Sequence, residues 1–396
     1  MALAFRPACE ADLDRLVEIH TSAFPDPRDE GERRRNFVAN PLGTLDDLWV
    51  LLEGGEPLAH AFLFALEAWI GGARVRLGGV ASVGVAPEAR GRGLASALLA
   101  HLHEVARARG DAATVLYAYR QGFYARLGYG PTSAYRRLRV HPAAIPWRPE
   151  LRVRAAAGAD REALRACWEA EGLRHTGTLV RTDRAWEARL GDERRTWLIV
   201  EGSGGVEGYV AWSLLQHEPH APTALLVREM ASRTPAAARS LWAAIGAQRD
   251  QVTEVRADVA DDDPVDRVLV DGDRARFGDA ELEHALGEVG AGPMLRAPDA
   301  ARALEARGWA EEGALVVAAG DEHLALTVRD GRASATPTGD EPQLTLAPEA
   351  FSAVALGGLR PSHAARLRLA EARDARALAL ADALFALPAY FSPDPF

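Results

Sequence analysis

Ser82 to Ala95 reads S-V-G-V-A-P-E-A-R-G-R-G-L-A, and Ser96 to Arg109 continues it in a helical pattern. An apolar strand thus runs through Arg90, Gly91, Arg92 and Gly93 into Leu94, Ala95 and Ser96 at the start of a helix. That arrangement gathers free backbone N–H groups and the positive end of a helix dipole at one place, which suits an anionic diphosphate. Gly91 and Gly93 let the backbone approach a ligand that a Cβ would exclude, and Arg90 and Arg92 add donors matched to phosphate oxygens. The plainer alternative is a tight strand-to-helix turn with surface arginines; the strand before the motif and the helix after it favour the diphosphate reading.

At 396 residues the chain exceeds one ordinary core and divides into two or three domains. With 48% hydrophobic and 26% charged residues it reads as soluble and globular. It shows no apolar run long enough for a bilayer and no signal-peptide core, so a cytoplasmic location is expected. Two cysteines, Cys9 and Cys167, provide no disulfide framework and no metal-ligand spacing, and no metal is expected. A net charge of -10 argues against general nucleic-acid binding and is compatible with an acidic cleft that attracts amines. All 46 basic residues are arginine, so the protein has no lysine side chain of its own to modify.

A faint internal repeat appears at an offset of 148 residues. Leu3, Arg6, Ala8, Ala11 and Asp12 recur as Leu151, Arg154, Ala156, Ala159 and Asp160, while Trp49, Glu53 and Gly54 recur as Trp197, Glu201 and Gly202. Pro87 falls on Pro235. The rarer Trp, Pro and Gly matches, with matching strand and helix patterns, imply two tandem copies of one fold. At that offset Gly91, Arg92 and Gly93 become Arg239, Ser240 and Leu241, so the second copy lacks the glycines of a phosphate site and reads as structural. From about Ala291 the pattern changes to short strands around 315–319, 324–328 and 343–346, with hairpin turns at Gly320-Asp321 and Asp330-Gly331. Helical patterns follow over Pro348 to Ala355, Ser362 to Ala372 and Ala375 to Ala386. The expected spans are 1–148, 149–290 and 291–396.

The segment R-x-x-G-x-A from Arg90 to Ala95 resembles the coenzyme A pyrophosphate loop of the GNAT superfamily. The three-part organisation, together with G-F-Y-A-R-L-G-Y-G at 122–130, resembles the Eis (enhanced intracellular survival) family of N-acetyltransferases over essentially the whole chain. The resemblance implies an α+β fold class: tandem GNAT folds, one active and one degenerate, followed by a sterol-carrier-protein-like domain. It implies acetyl-CoA as co-substrate and a primary amine acceptor, either a polycationic small molecule of the aminoglycoside kind or a lysine side chain. It also implies Tyr124 as general acid, the carboxylate of Phe396 as general base, and a homohexamer.

The residues are compatible with these roles. A tyrosine with a pKa of about 10 can protonate a thiolate of about 8.5 at a cost of roughly 2 kcal/mol. The proline-stiffened aromatic end, Pro388 to Phe396, suggests an anchored tail that fixes its α-carboxylate, although a tail that merely plugs an apolar groove would read the same way. Tyr124 could equally pack its helix on the sheet, and for Tyr129 that is the reading preferred. By resemblance, Val83, Gly84 and Val85 form the strand edge for the pantetheine amides, and Tyr119 and Arg120 make further coenzyme contacts. Phe24 and Asp26 are candidates for the acceptor pocket, Asp26 by pairing with an ammonium group. A hydrophobic-ligand carrier and a non-catalytic coenzyme A sensor are the alternatives.

Overall fold

The computed structural model describes residues 2–216, 222–270 and 285–396. The first third supplies strands β1 (Leu3–Pro7), β2 (Leu48–Glu53), β3 (Glu56–Ile70), β4 (Ala73–Val85), β5 (Ala113–Leu116) and β6 (Gly130–Pro131). Its helices are α1 (Leu13–Ala23), α2 (Glu30–Val38), α3 (Leu94–Arg109) and α4 (Gln121–Ala125). Next come β7 (Tyr135–Val140), β8 (Arg152–Ala155), β9 (Thr196–Gly202), β10 (Gly205–Leu215), β11 (Ala224–Ser232), β12 (Glu254–Ala260), β13 (Gly287–Gly290) and β14 (Met294–Arg296). Helices α5 (Arg161–Gly172), α6 (Asp183–Leu190) and α7 (Pro235–Gly246) accompany them.

Among the described residues the first sheet has the order β1-β2-β3-β4-β5-β14-β6 and the second β8-β9-β10-β11-β12-β7-β13. The two orders correspond strand for strand, so the repeat read in the sequence is a repeat of structure. Arg6 grips the buried Asp12 through two hydrogen bonds of 2.6 and 2.8 Å, and Arg154 grips Asp160 through two of 2.8 Å. Each carboxylate also caps a backbone N–H three residues back, at Cys9 and Ala157.

One slot in each sheet is filled from the other half of the chain. β14 lies antiparallel beside β5, and β7 lies antiparallel beside β12. Spans 1–148 and 149–290 therefore differ from sheet membership: Tyr135–Val140 belongs to the second sheet and Met294–Arg296 to the first.

The second copy lacks more than two glycines. Pro87 opens a short 3-10 turn and α3 does not begin until Leu94, whereas Pro235 is already the first residue of α7. Arg239, Ser240 and Leu241 sit inside that helix. The Ser240 hydroxyl accepts the N–H groups of Glu150 and Leu151, and no glycine loop precedes α7.

The last third forms a five-stranded sheet from β15 (Gly313–Ala319), β16 (Glu322–Arg329), β17 (Arg332–Pro337), β18 (Leu344–Leu346) and β19 (Ala370–Ala372). Helices α8 (Ala300–Ala306), α10 (Pro361–Arg366) and α11 (Ala375–Leu384) pack with it, while α9 (Pro348–Leu356) lies against β6 and β14 of the first sheet. Positive φ at both Asp330 and Gly331 makes the β16–β17 turn the primed type that matches strand twist. The helix expected over Ser362 to Ala372 stops at Arg366. Arg368 takes a left-handed φ of 59°, and Ala370–Ala372 then pairs with β18. Sheet completion there overrides a helical hydrophobic spacing. Among the described residues no helix is long and apolar enough to cross a membrane.

Candidate active site

β4 and β5 pair in parallel only from Leu77↔Ala113 to Gly79↔Val115, then part. Beyond that point Ser82 adopts φ 51°, and the register against β3 slips between His60 and Phe62, a bulge that re-aims the strand. Val83, Gly84 and Val85 follow it, Gly84 opposite His60 and Val85 opposite Ala59, and among the described residues no strand pairs with their other edge, β5 having parted after Gly79.

Gly91 and Gly93 hold φ of 79° and 77°, and Gly93 is the N-cap of α3 with no side-chain cap bond. A Cβ at either glycine would meet no protein atom within 4 Å, so backbone conformation, not crowding within the protein, selects glycine here. The first N–H groups of a 16-residue helix are left without a side-chain cap, the donor set an anion requires. Arg90 ties the loop to the end of α1 through the Ser22 carbonyl at 3.0 Å, and Arg92 pairs with Glu53 at 2.6 Å.

A cleft of about 1710 Å³ opens from the parted strands. Val83, Val85, Arg90 and Ala95 line it, together with Phe24, Tyr119, Arg120, Tyr124 and Phe396. Gly84, Gly91, Arg92, Gly93, Leu94 and Ser96 belong to the same strand and loop but do not line it. β5 stops at Leu116, Tyr119 beyond it is 95% exposed, and Arg120 is the N-cap of α4.

Asp26 is not on the cleft wall. It is ion-paired with Arg28 and with the buried Arg33 (3.0 Å), and these cations hold its carboxyl well below the usual range. Its charge is committed to the α1–α2 connection. Phe24 stacks at 4.6 Å on His20, which in turn lies 5.6 Å from His60. Burial pushes these imidazoles down to about 4 and about 3, so both are neutral near pH 7.

Tyr124 sits near the end of α4, its ring edge-on to Phe123 and Tyr129 at 5.0 and 5.8 Å. Partial burial raises its pKa, so the hydroxyl is protonated at neutral pH. Tyr129 is fully buried, with its hydroxyl 2.9 Å from both His103 of α3 and Thr114 of β5, and it joins helix to sheet.

The chain end arrives from the third domain along the second. Thr176 exchanges backbone bonds with Ala389 (3.3 Å) and Phe391 (2.7 Å), and Thr178 donates to the Phe391 carbonyl (3.1 Å). Asp394, 2% exposed, accepts two bonds from Arg181 at 2.8 and 3.0 Å. The same guanidinium binds Glu229 through bonds of 2.8 and 2.9 Å and lies 3.4 Å from the Trp168 ring centroid. Arg189 contacts both acids, and Tyr209 donates to Glu229 at 2.8 Å. Beyond this buried cluster the Phe396 ring packs edge-on to Tyr117 at 5.4 Å and within 3.3 Å of where a Cβ on Gly79 would lie, at the point where β4 and β5 part.

Sequence reading missed Arg181, Glu229 and Asp394. The one local signal was a charge bracketed by Pro393 and Pro395 in an aromatic tail, a residue that must find a partner if the tail is buried. Among the described residues eight arginines and four acidic side chains line the cleft, so the net negative charge of the chain is not concentrated there.

Comparison with known proteins follows this geometry. Residues 4–132 and 177–296 each match an acetyltransferase (GNAT) domain, and residues 300–392 match a sterol carrier protein domain. The class is thus a GNAT N-acetyltransferase with a duplicated domain. N-acetyltransferase Eis of Mycobacterium tuberculosis is 25% identical across 78% of this chain and 77% of its own. An uncharacterized N-acetyltransferase of Streptomyces avermitilis is 29% identical across 96% and 95%. The fold matches a GCN5-related N-acetyltransferase from Anabaena variabilis (TM-score 0.86, 20% identity, both chains fully covered) and Eis1 from Mycobacterium abscessus (0.79, 21%, 99% and 100% covered). The chain thus carries two GNAT domains followed by a sterol carrier protein domain, and over most of its length it is similar to N-acetyltransferases named Eis.

Proposed function

We propose that this protein transfers the acetyl group of acetyl-CoA to a primary amine, with Tyr124 as general acid and the Phe396 carboxylate as general base. The observation that carries the reading is that Tyr124 and the C-terminal residue, which come from different domains, line one cleft at the point where β4 and β5 part. Acetyl-CoA supplies the acetyl group. The α3 N-terminus and the Arg90–Gly93 loop hold its diphosphate, and the unpaired edge of Val83–Val85 aligns its amide-bearing arm.

The acceptor amine loses a proton as its nitrogen bonds to the acetyl carbon, and the Phe396 carboxylate takes it. The carbon–sulfur bond breaks, and Tyr124 gives its proton to the departing thiolate. The raised pKa of Tyr124 keeps the proton in place until a thiolate, itself poorly solvated in the cleft, forms beside it.

The test is to extend the chain by a few residues after Phe396 or to convert its carboxylate to an amide. Acetyl transfer should fall by about 10²–10⁴ while coenzyme binding survives. Full activity in the extended protein removes Phe396 as base.

A further inference from the structure

The cleft continues into the second domain. β11 and β12 pair in parallel from Ala224↔Glu254 to Val227↔Ala257 and then part, as β4 and β5 do. Arg228 and Met230 on one strand and Val259 and Ala260 on the other line the same cavity. The degenerate copy has lost its glycine loop and kept its strand opening.

The charge in that opening is unbalanced. Asp258 of β12 is matched by Arg137 of the neighbouring β7 at 2.7 Å. Around the tail cluster, however, Arg181, Arg189, Arg194, Arg195 and Arg228 stand against Asp192, Glu229 and Asp394, the acids paired with that group.

The surplus falls on Arg195 and Arg228, both on the cleft wall. Arg195 binds Asp192 at 3.1 Å, but its buried Nη1 makes no hydrogen bond, its ion-pair partner being Glu229 at 3.7 Å. Arg228 donates to the Ser213 hydroxyl at 2.8 Å and has no carboxylate within ion-pair distance among the described residues. Desolvation and repulsion from Arg195 and Arg194 hold its guanidinium below the usual value. Arg228, the cleft-wall arginine with no carboxylate within ion-pair distance among the described residues, thus offers an oxyanion its charge, with Arg195 on the same wall adding to the positive field.

We infer that Arg195 and Arg228 form an oxyanion subsite at the second-domain end of the acceptor cleft, and that the acceptor carries a carboxylate or phosphate remote from its amine. This rests on the acetyltransferase reading for the word acceptor. It replaces the polycation expected from sequence, which would meet a cationic wall.

The experiment measures equilibrium binding of three matched probes to the full-length protein by calorimetry: an ω-amino carboxylate, an aminoalkyl phosphate and an ω-amino amide, each in a short and a long version. At least one anionic probe should bind about tenfold or more tightly than the amide, the worth of a charge-assisted hydrogen bond. That preference should shrink toward one in Arg228→Gln and partly return in Arg228→Lys. Which anionic probe wins distinguishes carboxylate from phosphate. No preference for either anionic probe over the amide, or an anion preference unchanged in both Arg228→Gln and Arg195→Gln, overturns the inference. Binding is read without turnover, so a protein that holds the anionic amine yet transfers no acetyl group refutes the transferase reading and leaves the subsite standing.

Discussion

Asp394→Asn tests whether the buried ion cluster is what places the end of the chain. The change preserves shape and one acceptor oxygen but leaves Arg181 and Arg189 facing Glu229 alone. Arg181 and Asp394 have side chains 2% exposed and Glu229 0% exposed, so water does little to absorb the imbalance. Removing one partner of such a buried pair typically costs about 3–5 kcal/mol. At about 1.4 kcal/mol per tenfold, that moves the docking equilibrium of the last residues by roughly 10²–10⁴ toward release.

The backbone bonds of Thr176 and the hydroxyl bond of Thr178 lie upstream and remain, so the loss is confined to the terminal segment. Thiol release from acetyl-CoA at saturating amine should therefore show kcat down by about 10² or more, with the KM for acetyl-CoA little changed. Deleting residues 394–396 in the variant should add little further loss, because Asp394 acts through the tail. A folded Asp394→Asn protein with kcat within about threefold of the parent would refute the argument, as would equal losses in kcat and coenzyme affinity.

Gly93→Trp should fold and lose acetyl-CoA binding by calorimetry, since φ of 77° tolerates a side chain at a cost of about 1–2 kcal/mol while the indole covers the helix N-terminus. Tyr124→Phe should lower kcat by about 10²–10⁴ with coenzyme affinity intact, and turnover near the parent level would assign the acid to another group. Asp12, held by Arg6 down to about 2 in the folded state, contributes stability that is present above its unfolded value of about 3.9 and is lost as pH falls toward about 2. Urea midpoints across that window should decline with acid, and Asp12→Asn should flatten its share of the slope.

The glycine turn into α3 was legible because its determinants are local: two left-handed glycines and a helix start within one short segment. The repeat was legible because Arg6 and Asp12, like Arg154 and Asp160, make the same contact at the same spacing. The tail lock was not, since Arg181 and Asp394 are separated by 213 residues and neither sits in a motif. Asp26 misled because a loop carboxylate beside an aromatic residue resembles an ammonium site until Arg33, a buried partner seven residues on, is seen to hold it. The exchanged strands were hidden because β7 and β14 carry no mark of which sheet they join.

That exchange bears on how the protein is made. A ribosome releases Gly130–Pro131 long before Met294–Arg296, and until the later strand arrives β5 presents an unpaired edge. At about 5–20 residues per second the wait is roughly 10–30 s, ample time for a nascent chain to meet another's exposed edge. The amino-terminal sheet is thus completed only after most of the polypeptide has been synthesised. Expression of the first 148 residues alone should give an aggregation-prone fragment, and the natural remedy for that hazard is the carboxy-terminal half of the same molecule.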